Sequence, residues 1–224
     1  MSTTDSSTAN PPTPAESNTS PLPSPQRYIT THNADGKAIF STALPDELPP
    51  HHLPNAATFH LGYLTPSLPP VLSSSLSTST STSTNSNPNP KSTADTSTPP
   101  DLTLYTTHLP PHPPPSLTIP NGSVLRYVDM PPHSLSPMHR TVSLDYGIVL
   151  EGEVELVLDS GETRVMRKGD LAVQRATMHA WRNSGEGWVR MVFVLLALQQ
   201  EEGMGREEDL GGMEGVPGSR ADGK

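Results

Sequence analysis

The chain has 224 residues, among them 27 Pro and no Cys, and a formal net charge of −9 at pH 7. Without Cys there are no disulfides, no Cys-ligated zinc sites and no thiol nucleophiles, as expected for a protein of the reducing cytoplasm. The 14 Lys and Arg side chains are scattered among 23 Asp and Glu, which argues against a nucleic-acid-binding surface. The longest apolar run, Met191–Leu198, has eight residues, far below the ~20 of a membrane-spanning helix.

Proline and charge divide the chain into parts. Of the 27 Pro, 23 lie in residues 1–120, and the nearly neutral stretch 121–198 holds eight basic and nine acidic side chains. One ordered core with solvated flanks is therefore predicted. The predicted segments are a disordered 1–26, an N-terminal arm at 27–70, a low-complexity Ser/Thr linker at 71–100, a Pro-rich arm at 101–120, a β-barrel at 121–198 and a disordered acidic tail at 199–224.

The N-terminal arm contains one local signal. The Asp35-Gly36 turn predicts a short hairpin with Ile29, Ile39 and Phe40 as candidates for burial. Residues 45–70 are Pro-rich but carry several apolar side chains, which predicts an extended arm that packs on another part of the chain.

Short segments separated by Gly turns predict strands in the core, and none shows a sustained helical period. This pattern indicates an antiparallel all-β sandwich or barrel. The predicted strands are Ser123–Met130, His139–Leu150, Glu153–Asp159, Glu162–Met166, Leu171–Gln174, His179–Asn183 and Trp188–Leu198.

The segment His139–Leu150 has two different faces, because side chains alternate along a strand. One face is small and polar, with His139, Thr141, Ser143, Asp145, Gly147 and Val149. The other is almost continuously apolar, with Arg140, Val142, Leu144, Tyr146, Ile148 and Leu150. The apolar face requires a cover, which we expect to be another sheet, the arm or a second copy of the chain in a homodimer.

The polar face predicts a metal site. His139 and Asp145 point the same way, and a carboxylate on an inward face needs a partner. His179, in another predicted strand, completes a two-His, one-carboxylate set suited to Fe, Mn, Ni or Zn with positions left for a small-molecule substrate. Thr141 is expected to hydrogen-bond to Asp145. A metal-free role for the same residues remains the alternative.

Two motifs carry a family resemblance. His139–Gly152, HRTVSLDYGIVLEG, resembles the first cupin motif, in which a His-x-His pair precedes a Glu and then a Gly. Gly169–Asn183, GDLAVQRATMHAWRN, resembles the second, in which a Gly-Asp turn leads to a third His and then Asn. The resemblance covers about residues 118–198 and implies a small antiparallel, jelly-roll-like cupin β-barrel, here with an extended N-terminal arm and disordered termini.

The sequence departs from the family pattern at three residues and in the loop before His179, which is one residue shorter than usual. The second His of the first motif corresponds to Thr141, the Glu to Asp145, and the Pro of the second motif to Arg175. The resemblance therefore transfers three ligands, His139, Asp145 and His179. We expect Thr141, Arg175, Trp181 and Asn183 to support these ligands or to contact substrate, with Arg175 favoured over Arg140, Arg182 and Arg190 for gripping an anion.

The core motifs, with the arm segments TTHNADGKAIF and LGYLTPSLPP, are similar to a group of small fungal cupin-domain proteins. Some of these are placed in polyketide gene clusters and described as cupin-domain oxidoreductases. The resemblance implies a metal-dependent oxidoreductase of secondary metabolism. A metal-dependent decarboxylase, lyase or isomerase, or a non-catalytic small-molecule-binding protein, would use the same pocket.

Overall fold

The structure, a computed structural model, describes residues 19–72, 99–199 and 208–219. The predictions for the first 18 residues, the Ser/Thr tract at 73–98 and the two ends of the tail lie outside the described residues. In chain order the elements are β1 (Thr30–His32), β2 (Ala38–Phe40), β3 (His51–His52), β4 (Thr58–Thr65), α1 (Pro100–Thr106), β5 (Ser123–Met130), β6 (Ser134–Leu135), β7 (Ser143–Glu151), β8 (Glu153–Leu158), β9 (Thr163–Arg167), β10 (Leu171–Arg175), β11 (His179–Asn183) and β12 (Val189–Ala197).

The strands form two main antiparallel sheets. One has six strands in the order β10-β7-β12-β5-β4-β3, and the other has four in the order β6-β11-β8-β9. The turns that lead into and out of β9 contain Gly161 and Gly169, whose φ values of +87° and +93° are costly for other residues. The predicted antiparallel all-β cupin-type fold is confirmed, with its strands divided between two facing sheets.

The core lies between these sheets. Met130, Val149 and Met191 of the six-stranded sheet pack with Val154 and Trp181 of the four-stranded sheet. Along β7 the side chains alternate between buried and half-buried. The small polar face predicted for this segment therefore points into the molecule, and the apolar face is the outer surface of the six-stranded sheet.

The N-terminal arm is part of the main sheet. β4 pairs with β5 in a register that runs from Thr58 opposite Asp129 to Thr65 opposite Ser123, with an irregularity between Leu61 and Tyr63. β1 and β2 form the predicted hairpin. The expected burial of its apolar side chains was wrong for Ile39 and Phe40, which are 43% and 70% exposed, because the hairpin is a separate two-stranded sheet.

The arm at 101–120 was predicted to be extended, which is wrong where α1 forms. Pro100 lies in the first turn, where a missing N–H costs no hydrogen bond, and Asp101 favours the same helix end. Tyr105 is fully buried, with its ring 4.7 Å from that of Tyr63. Tyr63 donates a hydrogen bond of 2.8 Å to Asp101 and so ties α1 to β4. In the described ranges no helix has the length and apolarity needed to cross a membrane.

Parts of both ends predicted to be disordered are ordered. Among residues 19–26, the Pro23 carbonyl accepts a hydrogen bond of 2.7 Å from Arg190. In the tail, Leu210, Met213 and Val216 are buried in the core, because successive turns place every third side chain on one side. The Gly-rich, acidic composition of the tail concealed this spacing.

Met213→Ala is expected to lower the free energy of unfolding by about 2–4 kcal/mol, because it leaves a cavity in the core. Urea unfolding of the full chain measures the change. The neighbouring exposed side chain provides the control: Glu214→Ala should change stability by less than about 0.5 kcal/mol. Equal effects of the two substitutions would show that the tail does not pack on the core.

Candidate active site

A cavity between the sheets has an empty volume of about 750 Å³, which includes its open mouth. Most of its lining is apolar. The arm contributes Leu53, Ala57 and Phe59, and the tail contributes Met213, so segments outside 121–198 complete the walls. Of the described residues that line the cavity, four are ionisable: Arg126, His139, Asp145 and His179.

Two histidines lie side by side in this cavity. The backbone N–H of His139 donates to the carbonyl of His179 at 2.8 Å, and that of His179 donates back at 2.9 Å. This isolated antiparallel bridge joins the segment before β7 to the start of β11. It places the two buried imidazole rings with their centroids 4.4 Å apart.

Backbone carbonyls fix the protonation of both rings. His139 Nδ1 lies 2.8 Å from the Pro137 carbonyl, and His179 Nδ1 lies 2.9 Å from that of Thr177. A carbonyl only accepts hydrogen bonds, so each Nδ1 must carry a hydrogen and Nε2 keeps its lone pair in the neutral ring. Burial lowers the pKa of His139, and burial with the neighbouring His139 lowers the pKa of His179 to about 4. Both imidazoles are therefore neutral at pH 7.

Asp145, on β7, is held by hydroxyl groups. Thr141 donates to its Oδ2 at 3.0 Å, as expected from the sequence, and Ser143 hydrogen-bonds to its Oδ1. Burial raises the pKa of Asp145 to about 6, although these hydroxyls and the positive charge of Arg126 act in the opposite direction. The hydroxyl groups thus hold the carboxylate in a fixed orientation, and its pKa lies near neutral pH.

The three predicted ligands share one cavity, but the structure does not bring them into one coordination set. His139 and His179 are adjacent, whereas both oxygens of Asp145 face Thr141 and Ser143. Across residues 19–72, 99–199 and 208–219, no three His, Asp or Glu side chains are arranged to hold a metal ion. The geometry provides a pair of imidazole donors and a separate carboxylate.

The supporting residues predicted from the sequence have different outcomes. Trp181 lines the cavity, with its ring 5.7 Å from that of His179. Asn183 was wrongly expected at the site: its Nδ2 donates to the carbonyls of Met130, Pro131 and Gly187, and so braces a loop.

Arg175 was also wrongly expected to contact substrate. It is exposed and opposite Leu144, on the outer face of the six-stranded sheet, whereas its neighbour Gln174 points inward opposite Asp145. Arg182 and Arg190 form ion pairs with Glu155 and Asp129.

Arg126 is a charged cavity residue that was not among the site residues predicted from the sequence. It is 5% exposed, and its guanidinium carbon lies 5.3 Å from the centre of the Phe59 ring. The signal was present in the strand SVLRYVDM, because Arg126 shares its face with Val124, Val128 and Met130. A lone Arg among inward apolar positions marks either a buried ion pair or a site.

The model of the cupin domain family matches residues 126–195. Phomopsin biosynthesis cluster protein C' of Diaporthe leptostromiformis is 41% identical over 196 residues, 87% of this chain and 89% of that protein. The cupin-domain-containing oxidoreductase virC of Hypocrea virens is 39% identical over 176 residues, 76% of this chain and 74% of that protein.

A further relative agrees with these matches. Oryzines biosynthesis cluster protein J of Aspergillus oryzae is 37% identical over 176 residues, 78% of this chain and 84% of that protein. The matches to all three relatives extend well beyond the barrel. The chain therefore belongs to the cupin family, and its relatives include a fungal cupin-domain-containing oxidoreductase and proteins named for fungal biosynthesis clusters.

Proposed function

We propose that this chain is an oxidoreductase of secondary metabolism that acts on a small molecule in the cavity between its sheets. The observation that carries the proposal is the pair of neutral imidazoles, His139 and His179, in a mostly apolar cavity. The relatives support the reaction class, because virC is a cupin-domain-containing oxidoreductase and two others are named for biosynthesis clusters.

A divalent ion of Fe, Mn, Ni or Zn is proposed to bind at His139 and His179. Imidazole nitrogen suits these ions, and hydrogen bonds from Nδ1 to a carbonyl orient a ring for metal binding through Nε2. When bound, such an ion supplies a Lewis-acidic centre, and for iron or manganese a redox-active one. Since no third His, Asp or Glu of the described ranges joins these two donors, Asp145 is not assigned as a ligand.

Asp145 is instead proposed to move a proton. Its carboxylate lines the same cavity, and the hydroxyls of Thr141 and Ser143 fix its orientation. With a pKa of about 6 it is mostly ionised at neutral pH, so it can take a proton from a bound substrate and hold it at a carboxylate oxygen. Phe193 and Trp181 contribute apolar wall to the same cavity.

A second candidate is a decarboxylase, lyase or isomerase on the same scaffold. The buried carboxylate of Asp145, whose pKa lies near neutrality, favours proton-transfer chemistry of this kind. Oxygen consumption that matches product formation would support the oxidoreductase. Turnover without oxygen consumption or net oxidation of the substrate would support the second candidate.

Metal content tests the proposal directly. Protein produced with Fe, Mn, Ni and Zn supplied together is expected to carry about one ion per chain by elemental analysis. In His139→Ala or His179→Ala the content should fall to below roughly a tenth, because losing a ligand costs at least as much as losing the group that orients it. Asp145→Asn should keep its metal.

The exposed His133 provides the matched control, since its ring faces solvent beside Glu186. His133→Ala should retain the metal content of the parent protein. Parent protein without metal, or His139→Ala and His179→Ala variants that keep it, would contradict the proposal.

A homodimer is proposed through the outer face of the six-stranded sheet. Leu171 and Val173 are 55% and 50% exposed there, next to the half-buried Tyr146 and Ile148, which together make a continuous apolar patch. Light scattering should give twice the chain mass for the parent protein and the chain mass for Val173→Lys. Val165→Lys, 45% exposed on β9 of the other sheet, is the control and should stay dimeric. A monomeric parent protein would overturn the dimer.

A further inference from the structure

Arg126 is a buried cation that lacks a direct counterion. It lies in the middle of β5 between Phe193 of β12 and Leu61 of β4, on the cavity side of the sheet. Its Nη2 donates to two neutral carbonyls, those of Ser116 at 2.6 Å and Leu117 at 3.2 Å. In the described part of the chain, no carboxylate lies within ion-pair distance of it.

The guanidinium also has unused donors. Nε is buried without an acceptor, and Nη1 makes no hydrogen bond to any described residue. Arg190, the other buried Arg of this sheet, is bound through Nε and Nη2 to both oxygens of Asp129 at 2.6 Å. An Arg with a purely structural role would be expected to resemble Arg190, because an unpaired buried charge destabilises the fold.

The surroundings of Arg126 define what would satisfy it. The cavity walls near it are the aromatic and apolar side chains of Phe59, Val128 and Phe193. Asp145 acts on Arg126 through space but accepts its hydrogen bonds from hydroxyl groups. A ligand that supplies an anionic oxygen to Arg126 and an apolar body to the walls would therefore complete the site.

We propose that Arg126 anchors a carboxylate on the substrate, so that the substrate class is a small carboxylic acid with an apolar or aromatic body. The proposal rests on the proposed function, because it assigns this substrate class to the same cavity. It gives Arg126 a binding role in which the guanidinium donates to a carboxylate, while His139, His179 and Asp145 remain for the reaction.

The test uses two probes of the same shape, 2-naphthoate and its uncharged counterpart 2-naphthamide. Their dissociation constants are measured by calorimetry on the full-length protein after chelator treatment, so that no metal contributes to carboxylate binding. The parent protein should bind the naphthoate about tenfold or more tightly than the amide, as a charge-assisted hydrogen bond predicts. In Arg126→Gln the two constants should become similar, and in Arg182→Gln, which alters a half-exposed ion pair, the preference should persist.

A second variant guards against misfolding of Arg126→Gln. Asp145→Asn removes a negative charge from the cavity and leaves Arg126 intact. This variant should therefore bind 2-naphthoate roughly fivefold more tightly than the parent protein does. The proposal would be overturned if the parent protein bound the two probes equally or did not bind naphthoate at millimolar concentration. It would also be overturned if a folded Arg126→Gln kept the preference for naphthoate, or if Asp145→Asn bound naphthoate with unchanged affinity. Because the measurement involves neither metal nor turnover, failure of this proposal can be distinguished from failure of the proposed function.

Discussion

Asp129→Ala is expected to lower the free energy of unfolding by about 3–5 kcal/mol, because it leaves a buried Arg unpaired. Asp129 is fully buried, and its two oxygens accept hydrogen bonds of 2.6 Å from Arg190. Oδ2 also accepts a bond of 2.6 Å from the hydroxyl of Ser20, and Arg190 donates to the carbonyl of Pro23. The pair therefore fastens the N-terminal segment to β5 and β12.

Glu155→Ala is the matched control for this prediction. Glu155 also pairs with an Arg, Arg182, but these side chains are 25% and 41% exposed. An ion pair that is exposed to water contributes little to stability, so Glu155→Ala should lower the free energy of unfolding by less than about 1 kcal/mol. Chemical unfolding of both variants measures the difference. Similar losses in the two would show that burial of the Asp129 pair does not determine its contribution.

Asp145→Asn is expected to stabilise the metal-free protein at pH 7 by about 3 kcal/mol. Burial raises the pKa of Asp145 from its usual value near 3.8 to about 6, so the folded state binds a proton more tightly than the unfolded chain does. This contribution to stability is fully present below pH 3.8 and is lost as the pH rises through about 6. Each tenfold difference in proton affinity corresponds to about 1.4 kcal/mol.

The pH dependence separates this effect from a change in packing. The gain from Asp145→Asn should be largest above pH 6 and should vanish near pH 4, since Asn resembles the protonated acid. Asp159→Asn, on an exposed turn, should shift stability by less than about 0.5 kcal/mol. Thermal unfolding of chelator-treated protein across this pH range provides the measurement. A loss of stability in Asp145→Asn at pH 7 would contradict the assignment of Asp145 as a carboxylate whose pKa is raised by burial.

Sequence pattern predicted the core strands well because they are short segments, rich in strand-forming residues, and several of them are bounded by Gly turns. It could not predict that residues 208–219 are ordered, because the apolar side chains of that segment repeat every three residues within a Gly-rich, acidic composition. α1 was missed for a related reason. Seven residues that start at Pro100 are too few to show a helical period, and the burial of Tyr105 depends on contacts with β4 from a distant part of the chain.

The site was predictable only in part. Matching parity and the Gly-Asp turn identified His139, Asp145 and His179, and the structure lines one cavity with all three. The alternation of side chains along a strand shows which face a residue lies on but not its hydrogen-bond partners. It therefore did not show that the hydroxyls of Thr141 and Ser143 hydrogen-bond to the oxygens of Asp145. Closeness to His179 in the sequence favoured Arg175 as the substrate-binding cation, whereas the cation that lines the cavity is Arg126 from an earlier strand.

The most direct test of the central claim is to count imidazole nitrogens on a bound ion. Pulsed electron paramagnetic resonance of the protein loaded with Cu²⁺ reports each coordinated ring through the coupling of its remote nitrogen. We predict two coordinated imidazoles in the parent protein and in Asp145→Asn, and one in His139→Gln or His179→Gln. A spectrum with no imidazole coupling, or one unchanged by both His substitutions, would contradict a metal centre built on His139 and His179.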